Sequence, residues 1–351
     1  MSFSSISELL SQSCAQFRIF DMGRRISKLP SHQFSKLEQG SIPYPSPYLH
    51  HAWLALLLWN PKNKDQNVVW FLKFPLDEQG FLVQAVRDDF LGRLMQNITQ
   101  MLNAESIDEE KDALKDNPFS FTPDQEKMAM FHATASTTIG REPSGFYPDA
   151  TAYFSGTLGW DQWKKLGYQG IADVVARLET NNGKGLASSI EHLPNEVLTA
   201  LCGCLEHISP DHALTTALNE RLKDSLNNSS DQKATLVASL LRALSQSHDE
   251  ALKQQAILDT LASRYAKSAE VMTAIATRCH LTLQYPHVLN AYLEKLAESE
   301  AGQTGFSRIL ADLMFMPALR ALILREFRQP QRSEALSAAI GHMFGSQFTT
   351  H

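Results

Sequence analysis

Asp21, Arg24 and Arg25 are the densest polar group in the segment FDMGRR. Two guanidinium groups beside a carboxylate can clamp a carboxylate or phosphate ligand through paired N–H donors. The same three side chains can also tie one chain segment to the next as an internal ion pair, a reading that needs no ligand. A second basic group, Arg325, Arg328 and Arg332 with Arg320 nearby, is spaced for one helical face. Gln329-Pro330 would end that helix and shorten the stripe. Its default reading is a solvated face, and its functional reading a partner or nucleic-acid surface. Trp160 and Trp163, three apart, share a face with Leu166 and Ile171 nearby. Each ring can bury about 150–250 Å². They are expected to pack between two domains; the competing reading is an exposed partner-binding hot spot.

Other pairings lose their chemistry once an element is assigned to them. Cys202 and Cys204, with His207 and His212 close by, suggest metal ligands. On a helix, however, residues two apart point roughly 200° from each other, so both sulfurs cannot face one ion. Gly183-Lys184-Gly185 lacks the earlier glycine and the following Ser/Thr of a phosphate loop, and reads as a helix stop. His50 and His51, adjacent at the start of a strand, face opposite ways. No G-x-S-x-G segment is present, and Cys14 has no His or Asn partner that spacing assigns. No catalytic residue is therefore assigned, and no cofactor or metal is expected.

The chain has 351 residues, 43% of them hydrophobic and 20% charged, with a net charge of −6. That length suits two domains, each able to bury its own core. Residues 1–150 carry 14 basic against 18 acidic side chains and residues 151–351 carry 18 against 20, so neither half is a basic module. Four scattered cysteines do not form a disulfide framework. The first residues have no secretory pattern, and the longest apolar run, Ala52 to Trp59, is far short of a membrane span. The expected compartment is the cytoplasm.

The elements that would position these residues differ between the two halves. Residues 1–150 are expected to form an α+β domain with an antiparallel sheet and flanking helices. Ser5 with Glu8 reads as a capping box, and Phe17–Phe20 as a buried strand. Trp53–Trp59, Val68–Phe74 and Phe81–Val86 read as a three-strand meander across two polar turns. Helices are expected over Asp89–Leu102 and from Thr122-Pro123 to about Ala135. Residues 140–148 read as a loop, which places the boundary between 136 and 160.

Residues 151–351 are expected to be all α. A short helix should end at Leu166 with Gly167 as its stop, and another should run from Gly170 to Glu179. From Pro194, helix pairs start at 194, 231, 269 and 306, with spacings of 37, 38 and 37 residues. Leu201/Leu205, Leu240/Leu244, Ile275/Cys279 and Ile309/Leu313 hold matching positions. This period points to a HEAT-like helical-repeat domain.

FDMGRR (Phe20–Arg25), PYLHHAWLALLLW (Pro47–Trp59) and LGYQGIAD (Leu166–Asp173) resemble an uncharacterised gammaproteobacterial family of about this length. The resemblance implies a bacterial cytosolic protein and carries over no functional residue. The expectation is a scaffold that binds a protein partner through the helical-repeat domain or the junction before it. Arg24, Arg25, Trp160, Trp163, Arg325 and Arg328 are its candidate contacts. An enzyme with an inter-domain site and a nucleic-acid factor using the C-terminal arginines are the alternatives. Membrane association is not expected, and the net charge argues against nucleic acid.

Overall fold

The computed structural model describes residues 5–12, 15–103, 117–178, 183–227 and 234–345. Its contacts divide the chain into two compact units. The first comprises residues 1–124 with 139–141; the second comprises 125–138 with 142–351. The helix Gln125–Ile139 thus groups mainly with the residues C-terminal to it, so this division falls upstream of residue 150.

The first unit holds one antiparallel sheet. Its strands are β1 (Gln16–Asp21), β2 (Ser27–Leu29), β3 (His51–Asn60) and β4 (Asn63–Pro75), in the order β2-β1-β3-β4. β3 is central and nearly all apolar, as a strand covered on both faces must be. Leu54 pairs with Leu72 and Leu56 with Trp70 across β4, while Leu54 and Leu56 face Asp21 and Ile19 of β1. Helix α1 (Ile6–Gln12) is capped as expected: Ser5 Oγ accepts from the Glu8 amide at 3.0 Å. The buried Glu38 carboxylate, at the end of α2 (Ser31–Glu38), accepts from the Ile6 amide and, at 2.9 Å, from the Ser7 amide.

The expected third meander strand does not form. Leu82 makes only an isolated bridge to Leu76, and helix α3 (Gln84–Asn103) begins two residues later. The Asp77 carboxylate accepts from the amides of Gln79 and Phe81, which closes a tight turn. The apolar run then continues into α3, where Phe90 and Leu94 are buried and Phe90 meets Phe74 of β4 edge-on at 5.4 Å. The strand missing from the sequence reading is β2, three residues long.

The second unit is helical. It begins with α4 (Gln125–Ile139), α5 (Tyr147–Phe154), a 3-10 turn over Trp160–Lys165, α6 (Tyr168–Ala176) and α7 (Gly183–Ser189). Helix α4 starts after the expected Thr122 cap, and α5 begins inside the expected 140–148 loop. Gly167 caps the start of α6 rather than ending the element before it. The segment read as a helix stop, from Gly183, opens α7.

Then come α8 (Asn195–Leu205), α9 (His212–Asn227), α10 (Ala234–Leu244), α11 (Glu250–Ala262), α12 (Ala269–Arg278), α13 (Pro286–Ala297), α14 (Gly302–Met314), α15 (Pro317–Glu326) and α16 (Glu334–Gly345). The first eight overlie the eight segments that periodicity had assigned to helices. Packing follows chain order in two series. Helices α6, α8, α10, α12 and α14 pack each on the next, and so do α7, α9, α11, α13 and α15. Leu198, Leu201, Leu240, Leu244, Val271 and Ile275 fill the first series with buried side chains.

Candidate functional site

The FDMGRR and PYLHHAW segments meet in the first unit. The Asp21 carboxylate accepts from the Gly23 amide at 2.7 Å and lies on the buried Tyr44 phenol. Burial, helped by the charge and hydrogen bond of Asp21, holds that phenol well above its usual pKa. Gly23 suits this turn, because a Cβ would lie 3.1 Å from Asp21 Oδ1 and 3.2 Å from Tyr48 Cβ. Arg24 is 1% exposed; its Nε donates to the Pro47 carbonyl at 2.9 Å and its guanidinium lies over the Tyr48 ring. It acts as an internal tie and is not open to a partner.

Arg25 is half-buried, and burial lowers its pKa against the opposing effect of Asp21. Beside this group, the Trp53 indole donates to the Tyr48 carbonyl at 2.8 Å and receives the Lys73 ammonium 4.3 Å from its ring centre. Burial lowers the His51 pKa; the Leu49 carbonyl raises it and Lys73 and His50 lower it further. Leu49 and His50 between them both have positive φ, 49° and 61°.

Trp160 and Trp163 lie in the 3-10 turn of the second unit and neither ring is fully buried. Trp160 packs edge-on against Tyr153 at 5.5 Å and stacks on His192 at 5.2 Å. These contacts stay within the second unit, so the ring ties α5 to the turn after α7. Trp163 is half-exposed, with Lys164 5.8 Å from its ring centre. The rings are not fully covered because a 3-10 turn with glycines on either side offers no continuous face for them to pack under. Phe146 nearby is 56% exposed, and its ring covers Gly167. Its carbonyl would lie 2.5 Å from a Cβ on Gly170.

At the other end of this unit, Arg325 and Arg328 are exposed, and Arg325 reaches Glu326 at 3.5 Å. Arg332 lies beyond the end of α15, as Gln329-Pro330 implied.

One group was missed by the sequence reading. Glu206, Arg242 and Arg278 stand 36 residues apart, each at the C-terminal end of α8, α10 and α12 respectively. The buried Glu206 carboxylate accepts from Arg278 Nε at 2.9 Å, and Arg242 Nε lies 3.6 Å from its other oxygen. His207 Nε2 is 3.7 Å from the same carboxylate. The equal spacing of an acidic and two basic residues, close to the spacing of the helix-pair starts, was the signal that could have revealed it. Cys202 and Cys204 lie alongside, both buried. Burial pushes Cys204 and Cys279 up to about 12 and Cys202 higher still; Tyr168, close to Cys204, is also raised by burial. At neutral pH these thiols are protonated and are poor nucleophiles or metal ligands. Among the described residues no group of three or more His, Cys, Asp or Glu side chains is placed to hold a metal ion, and no helix is long and apolar enough to cross a membrane.

The chain belongs to the family described as protein of unknown function (DUF3549), whose model matches residues 1–344. No curated protein and no solved structure matches it.

Proposed function

We propose that this member of DUF3549 is a protein-binding scaffold whose second unit is a stacked array of helix pairs, HEAT-like in period. The observation that carries this reading is the packing order: each helix of one series packs on the next of that series, from α6 to α14 and from α7 to α15. Such a chain of nearest-neighbour contacts yields an extended surface to which successive repeats contribute equivalent positions. The Glu206, Arg242 and Arg278 group links the C-terminal ends of three successive helices of one series. Trp163, which is not fully buried, and the exposed Phe146 are the candidate aromatic contacts that precede the array.

The test is affinity capture of the full chain from its native cells, followed by hydrogen exchange on the reconstituted complex. The scaffold reading expects protection spread over several consecutive helices between α6 and α15. A partner footprint confined to the first unit would overturn it.

A further inference from the structure

We draw no further inference here: the strongest candidate, the apolar surface residues Phe146, Leu158 and Trp163 between the start of α5 and the 3-10 turn after it, carries nothing because nothing in the structure shows what covers them.

Discussion

Glu206 serves two arginines, and the geometry ranks them. Arg278 Nε hydrogen-bonds it at 2.9 Å, whereas Arg242 Nε stands off at 3.6 Å while its Nη2 donates to Ser239 Oγ. Removing the carboxylate leaves two largely buried cations without their counter-charge, so Glu206→Ala should cost about 3 kcal/mol in urea unfolding. Arg242→Met should cost less than Arg278→Met, because Arg242 is the more exposed and stands farther from the carboxylate. The thiols give a pH prediction. Burial holds Cys204 and Cys279 near 12 in the folded chain, against about 8.5 when unfolded. The unfolded state therefore loses these protons first. Their contribution to stability is complete below about pH 8.5 and is lost as pH rises towards 12. In a Cys14→Ser background, a thiol reagent at pH 8 should label the native protein only after denaturant is added; fast labelling of the folded chain would contradict this.

At the level of elements, two backbone positions carry measurable consequences. Leu49 and His50 form the turn between Tyr48 and His51 with positive φ at both residues, a conformation favouring Asn and Gly. Leu49 is exposed, so Leu49→Asn loses little packing and should raise stability by roughly 0.5–1 kcal/mol in thermal or urea unfolding. Gly170→Ala should act the other way, by about 1–3 kcal/mol, because its methyl meets the Phe146 backbone rather than a yielding side chain. The same contrast separates what was legible in the sequence from what was not. Residues 194–327 declare their helices because apolar side chains recur at helical spacing and Pro286 and Pro317 mark two starts. Phe81–Val86 misled because so short a segment, apolar but for Gln84, shows no clear period of its own, and the Asp77 turn decides where it goes. Gly167 and Gly170 read as punctuation, yet their role is to admit Phe146, a contact that local spacing does not encode. Of the candidate site residues, Asp21, Arg24 and Arg25 were visible as a polar group. That Arg24 is an internal tie depends on Pro47 and Tyr48, over twenty residues away.

For the molecule as a whole, the charge of −6 and the acidic balance of both halves predict no tight nucleic-acid binding at physiological salt. A salt-sensitive submicromolar affinity in a filter-binding assay would show that Arg325 and Arg328 outweigh that balance. The larger claim is that the second unit is a chain of nearest-neighbour helix pairs. In such an array a missing terminal pair is felt by its neighbour and fades beyond it, whereas a closed bundle loses cooperativity throughout. The direct measurement is native-state hydrogen exchange on a chain ending at residue 298, which removes α14, α15 and α16. The stacked array predicts weakened protection in α12 and α13 and protection in α8 and α9 matching that of the full chain. Loss of protection in α8 and α9 to the same degree as in α13 would contradict it.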